Sequence, residues 1–352
     1  MTHNPLKIIH LVFLTVSFAG DSLGPCLGFD YEGHRLVNKL ALAALPSEFP
    51  VFVNTPAARE RIAFLGGEPD RWRNIDDLNL QHVNNPDHFI DIEDLKPLGL
   101  EPESLSPFRY EFVGQIAKAR AANPERFRPI DPNKDMNRTR SLPGFLPWAI
   151  AEQYGKLKSA FSYWRTFSEE GMPEELANAQ ENVIYIMGTM AHFVADATQP
   201  LHTTKHYNGW IGENPEGYTT NRTFHSWIDG GFLGTVGYPT VESLHSRLRP
   251  ASMLWIGQSG GTNSPVFGKL MRYVLDQHRL VEPLYRLERD GKLNPGQSSG
   301  EGRAFIEKQF VVAAQMLGDI WYSAWKEAPP DLFLRAYLAK RKLREGRSKD
   351  DQ

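Results

Sequence analysis

The chain reads as an all-α protein, and three observations carry that reading. Apolar residues return at helical spacing in several long stretches. No run of alternating apolar and polar residues marks a strand. Neither an internal repeat nor a glycine-rich phosphate loop interrupts the pattern. With 352 residues, 41 % of them apolar, the chain can bury one large core or two small ones, and the absence of strand runs and repeats points to a single domain over 29–345. A formal net charge of −3 excludes a protein that grips nucleic acid by bulk basicity, so any phosphate affinity must come from a local site.

Residues 6–19 form an apolar run behind Lys7 that is too short to span a bilayer and reads as the core of a secretory signal. Cys26 and Gly28 are small residues at the separation that suits cleavage after Gly28. Residues 1–28 are therefore expected to leave as a signal peptide, taking the only cysteine with them; an uncleaved anchor helix and a lipoprotein acylated at Cys26 are the alternatives. The mature protein would be secreted or periplasmic, with no disulfide, and held by core packing and metal. Missing disulfides suggest a bacterial source, while Asn137-Arg-Thr and Asn221-Arg-Thr fit a glycan-acceptor pattern that arises often by chance.

The elements follow in order. Leu36, Val37, Leu40 and Ala43 recur at helical spacing, so a helix is expected to open at His34 and end before Pro46. Cleavage after Gly28 would expose an amine on Phe29, five residues before His34, and a neutral α-amine is a competent nitrogen ligand. Residues 57–66 are helical until Gly66-Gly67-Glu68-Pro69 breaks the period and delivers Asp70 and Arg73. The stretch 84–92 reads as loop and holds His88, with His82 competing for the same use. Residues 96–107 are proline-rich connection, 108–122 are helical, and 123–147 read as a long surface excursion. Helical spacing returns over 148–167 through Ile150, Tyr154, Leu157, Phe161 and Trp164, and again over 173–198, where Pro173 sits near the first turn. Beyond it come a loop at 203–220 containing His206, a Gly/Ser/Pro-rich stretch at 234–265, helices at 267–289 and 303–327, a charged helix at 331–345, and a frayed tail at 346–352.

The chemistry concentrates in 188–202. His192 and Asp196 are four apart and share one face of the helix. Pro200 stops that helix, which lets His202 swing back over the same face. A second pair of equal step, His225 and Asp229, follows. A single His-x-x-x-Asp pair is usually a surface hydrogen bond. Two such pairs and a histidine after a proline form a nitrogen and carboxylate set that suits zinc.

These motifs, together with Gly-His34, Asp70 with Arg73, and His88-Phe-Ile-Asp91, occur in an order that resembles the zinc-dependent phospholipase C and single-strand nuclease superfamily, the P-one and S-one nucleases. The resemblance runs from Phe29 to about Asp229, and Asp-x-x-Gln-Pro-Leu-His is its most specific part. It implies a helical domain with long surface loops around three zinc ions. Carried over, one ion takes Asp70, His88, His192 and a bridging Asp196. A second takes the Phe29 terminus, His34 and the other Asp196 oxygen. A third takes His202, His225 and Asp229. The resemblance also implies that Asp70 orients the attacking water and Arg73 binds a phosphoryl oxygen.

Asp229, the spacing from His202 to His225, and Phe89 and Asp91 as base-stacking and base-bonding residues resemble the nuclease branch. That implies an endonuclease on single-stranded DNA or RNA giving 5′-phosphate products. The alternatives are a phospholipase C acting on phospholipid and a non-catalytic domain stapled by zinc. No stable protein partner is inferred. The chain departs from the family's pattern in four places: Phe29 replaces a tryptophan, Ile228 separates Trp227 from Asp229, Gly230 stands where nucleases often place a base-contacting asparagine, and the glycine-asparagine motif after the His202 block is absent unless Asn208-Gly209 replaces it.

Overall fold

A computed structural model describes residues 29–254, 265–297 and 300–350. The expected signal peptide and its cleavage point lie outside these residues. The class is all-α: among the described residues the only strand-like feature is one isolated bridge, Ile90 to Gly144.

The first helix, α1 (Tyr31–Ala44), is capped by Asp30, whose Oδ1 accepts the Gly33 N–H at 2.9 Å. It therefore opens three residues before His34, which places that histidine in the first turn. Next come α2 (Pro56–Leu65), α3 (Glu68–Asn74), α4 (Leu78–Asn84) and α5 (Arg109–Ala122). Gly66 and Gly67 break the chain as the sequence suggests. Helix resumes at once, so Asp70 and Arg73 ride on a short helix instead of a loop.

The frame is the antiparallel pair α6 (Leu146–Glu170) and α7 (Pro173–Asp196), joined through Gly171 and Met172. Pro173 opens α7 without losing a needed donor, and the Glu175 side chain accepts the Met172 N–H at 2.9 Å. Helix α7 packs against α6, α2, α1 and α13, and its C-terminal half, from Met187 to Asp196, is buried on every side. Close approach of α2 to α7 depends on Gly188: a β-carbon there would lie 2.5 Å from the Leu65 β-carbon. One turn later comes His192.

The C-terminal part consists of a short helical turn α8 (Phe224–Ser226), α9 (Phe232–Val236), α10 (Val241–Leu244), α11 (Pro265–His278), α12 (Val281–Arg289), α13 (Gly300–Glu327) and α14 (Leu332–Asp350). The helix expected over 267–289 is two helices, separated at Arg279 and Leu280. The last helix continues to Asp350, where the sequence suggested fraying after 345. The excursion at 123–147 also has a buried end. Asp91 N–H donates to Pro143 O, Phe145 N–H to Pro86 O and Leu146 N–H to Phe89 O, so 143–146 clamps the segment that carries His88. No helix of the described residues is long and apolar enough to cross a membrane.

Candidate metal centre

Helix α7 supplies His192 and Asp196 at one-turn spacing, with His192 Nε2 3.3 Å from Asp196 Oδ2. The His192 Nδ1–H donates to the Gly66 carbonyl at 2.7 Å, which fixes the tautomer and leaves Nε2 with its lone pair toward the site. That ring stacks on His34 of α1, with centroids 3.9 Å apart. His34 Nε2 lies 3.6 Å from Asp196 Oδ1. From the turn after α4, His88 Nδ1 comes within 3.0 Å of Asp196 Oδ2 and 2.9 Å of His192 Nε2. Asp70 Oδ1 of α3 lies 3.7 Å from His192 Nε2 and 4.0 Å from His88 Nδ1. Asp196 thus sits at the middle, one oxygen toward His34 and the other toward His88 and His192.

A second group stands beside it. After Pro200 the chain makes one tight turn, and the His202 Nδ1–H donates to the His88 carbonyl at 2.6 Å. In return the Ile90 N–H donates to the His202 carbonyl at 2.9 Å, so the two histidine-bearing loops are stitched by backbone. His202 Nε2 faces His225 Nε2 at 3.0 Å. The chain between Trp227 and Gly231 forms a wide π-turn, closed by the Phe232 N–H on Trp227 O, a device common at functional sites. It leaves Asp229 Oδ2 2.9 Å from His225 Nε2. The 3.8 Å from His202 Nδ1 to Asp196 Oδ2 joins the two groups.

Three sets of donor atoms fall within 4.8 Å of one another: His34, Asp70 and His192; His88, His192 and Asp196; His202, His225 and Asp229. The test of fit is what these donors lack. Both ring nitrogens of His34, His88 Nε2, Asp70 Oδ1, Asp196 Oδ1 and Asp229 Oδ2 are buried without a hydrogen-bond partner, a costly arrangement unless something else pairs with them.

Electrostatics agree. Burial holds His34 and His88 well below the ordinary histidine range, lowers His202, and lowers His225 to about 3, so these imidazoles are neutral and keep a lone pair. His192 goes the other way: burial opposes its charge, but Asp196 and Asp70 outweigh it. Asp196 stays well below the usual carboxylate range, because His192 and His202 outweigh the burial that opposes its charge. Burial pushes Asp229 well above that range. Neutral imidazoles at His34, His88, His202 and His225 around the Asp196 anion form a donor set that could hold a cation.

Arg73 lies against Asp70, its Nε 3.0 Å from Asp70 Oδ1 in an ion pair that lacks hydrogen-bond geometry. Its Nη2 is buried with no protein partner.

All the ligand-type side chains singled out from sequence, from His34 to Asp229, are brought together. Phe29 is 1 % exposed, stacked on Phe310 at 4.5 Å and edge-on to His34 at 6.5 Å. Phe89 is half-buried beside His88, outside the three donor sets. Asp91 also lies outside them, its carboxyl pushed well up by burial and then by Asp94 and Glu93.

The two competing histidines separate by geometry. His82 Nδ1–H donates to the Asn137 carbonyl at the surface, and His206 stacks on Trp210 while its Nδ1 accepts the Ile211 N–H. Gly230 has its own cause: a β-carbon there would lie 2.4 Å from Asp30 Oδ2, whose carboxylate also accepts the Tyr238 hydroxyl, and the Asp30 N–H donates to Asp229 O. Sequence reasoning missed the supporting residues. Gln199 bonds Asp229, and Asn208 Oδ1 accepts the His225 N–H at 3.4 Å. Gln199 lay inside a motif already noted and Asn208 in the Asn208-Gly209 pair; Asp30 carried only the ordinary signal of an aspartate that caps a helix.

No protein-family model matches the chain, and no curated protein matches it.

Proposed function

We propose that this protein is a zinc-dependent phosphodiesterase of the phospholipase C and P-one nuclease type, acting on single-stranded nucleic acid after export from the cell. The observation that carries the proposal is the convergence of buried, unpartnered imidazole and carboxylate donors around Asp196. On this reading, Asp70, His88, His192 and Asp196 hold one ion; His34, the other Asp196 oxygen and the Phe29 terminus hold a second; His202, His225 and Asp229 hold a third. Zinc bound there would supply Lewis acidity and water ionisable near a pH of roughly 7. It would also make the cup cationic within a mildly acidic chain, as a phosphodiester requires.

The chain's own groups do the rest. Asp70 accepts a hydrogen bond from the attacking water and fixes its direction toward phosphorus. Arg73, held by Asp70, turns its spare Nη2 toward a non-bridging oxygen and the charge that develops on it. The buried walls limit competing water. Phe89 gives a ring on which an unpaired base stacks, and Asp91, whose carboxyl burial pushes up, hydrogen-bonds the base edge.

A second reading has its own observation. Ile75, Leu78 and Val83 follow Arg73 closely and are 55 %, 45 % and 56 % exposed. Exposed aliphatic side chains so near Arg73 in the chain suit acyl chains better than bases and favour a phospholipase C. One paired assay decides: purified protein on single-stranded DNA and on phosphatidylcholine vesicles, each with and without chelator. Chelator-sensitive release of 5′-nucleotides is the expected result. Release of phosphocholine alone transfers the proposal to the lipid branch, and no turnover of either substrate with zinc bound leaves a domain stapled by metal.

A further inference from the structure

We propose that Gln199 is a positioning residue, which holds the Asp229 carboxylate so that one oxygen is committed to the protein and the other is left for a cation. The inference rests on the metal-dependent reading above.

Gln199 is 1 % exposed and uses both ends of its amide. Its Nε2 donates to Asp229 Oδ1 at 2.7 Å, and its Oε1 accepts the Leu201 N–H at 2.7 Å. A flipped amide would set oxygen against carboxylate and NH2 against N–H, so only one orientation satisfies both partners. The backbone of the same residue is equally occupied: its N–H donates to Ala195 O and Asp196 O, and its carbonyl accepts the His202 N–H at 3.0 Å. One residue therefore ties together the end of α7, the turn that carries His202, and the carboxylate of Asp229.

The consequence for Asp229 is directional. With Oδ1 taken, Oδ2 is left buried and without a hydrogen bond, 2.9 Å from His225 Nε2 and beside His202. A neutral amide achieves this without adding charge. A lysine would act as a counter-cation and compete with the metal; a glutamate would repel Asp229. Support comes from behind, where Gln309 Nε2 donates to Thr198 O at 2.7 Å and fixes the preceding residue of the turn. Outer partners of this kind orient metal-ligating groups and are commonly worth about 10–100-fold in metal affinity.

The test compares wild type with Gln199→Met, which keeps the volume and loses the bonds, and Gln199→Glu, which keeps the shape and replaces the donor with an acceptor. Each purified full chain is stripped with chelator and titrated with Zn2+, and with Co2+ for its visible absorption. The expected result is one ion bound about 10–100-fold more weakly in both variants, with a changed Co2+ band for that ion, while the remaining ions bind as in wild type. Wild-type affinity and spectrum in both variants overturn the assignment. So does parallel loss of every ion, which would mark a general structural role. Failure of wild type itself to take up Zn2+ or Co2+ overturns the metal-dependent reading separately, before any variant is compared.

Discussion

Asp196 is fully buried and faces imidazoles on two sides, which makes its charge the hub of the site. Replacing it with asparagine keeps the shape and removes the anion on which two ions depend in the proposed assignment. Asp196→Asn is expected to lose about two bound zinc ions per chain, and turnover with them. Elemental analysis beside the nuclease assay checks this, and full zinc content with wild-type turnover would refute the bridging role. Spacing alone made part of this legible. The four-residue step from His192 to Asp196, and the stop at Pro200, follow from helix geometry. His34, Asp70 and His88 follow from no local rule, because α1, α3 and the turn after α4 reach α7 only through tertiary packing; the resemblance of motif order supplied them.

At the scale of elements, the clamp at 143–146 shows how a loop-like stretch carries structural weight. Gly144 has φ +101°, and a β-carbon there would come within 2.0 Å of the Phe89 carbonyl oxygen. Gly144→Ala is expected to destabilise the fold by roughly 1–3 kcal/mol and to loosen His88. Thermal melting would show a lower Tm, and zinc titration a weaker ion. The composition of 123–147 gave no hint of this, since proline and asparagine mark irregular backbone whether it is exposed or buried.

A second element-scale prediction concerns α14. Arg341 forms a two-pronged bond with Glu175 of α7, at 2.7 and 2.9 Å. That bond, followed by the Met172 N–H, lowers the Glu175 carboxyl to about 2. A depressed folded-state pKa stabilises above the ordinary carboxylate value and ceases to as pH falls through the folded one. The pair is partly exposed, so solvent screening limits its worth to about 0.5–1 kcal/mol. Glu175→Gln should cost that much at pH 7, and the difference from wild type should shrink as pH drops from about 4.5 toward 2. Urea melts of both proteins across that window measure it.

The whole molecule is a helical frame whose apolar core encloses one buried polar cluster, and the frame was the more readable part. Apolar periodicity marked the long helices because burial of one face repeats along them. It misplaced ends, because the Asp30 cap on the Gly33 N–H precedes the apolar period. It fused α11 with α12, because the break at Arg279–Leu280 is made by local bonds, Arg279 N–H to Leu275 O and Leu280 N–H to Gln277 O, that leave the apolar spacing uninterrupted. At this scale the prediction is thermodynamic. In the proposed assignment the donor cluster gains its counter-charge from metal, so chelation should lower Tm and added zinc should restore it. Zinc at a thousand times its dissociation constant would contribute about 4 kcal/mol. An identical melting curve with and without chelator would remove metal from the account.

The contact between Asp30 and Gly230 has an evolutionary consequence. Because the carboxylate fills the space that any side chain at 230 would need, the two positions are epistatic: neither can drift freely without the other. Gly230→Ala alone should cost about 1–3 kcal/mol by crowding. In an Asp30→Gly background, where the obstruction is gone and a glycine cap costs only a few tenths of a kcal/mol, the same change should be nearly neutral. A double-mutant cycle on Tm would measure this permissive effect, and the first step toward a new side chain beside Asp229 therefore lies two hundred residues upstream of it.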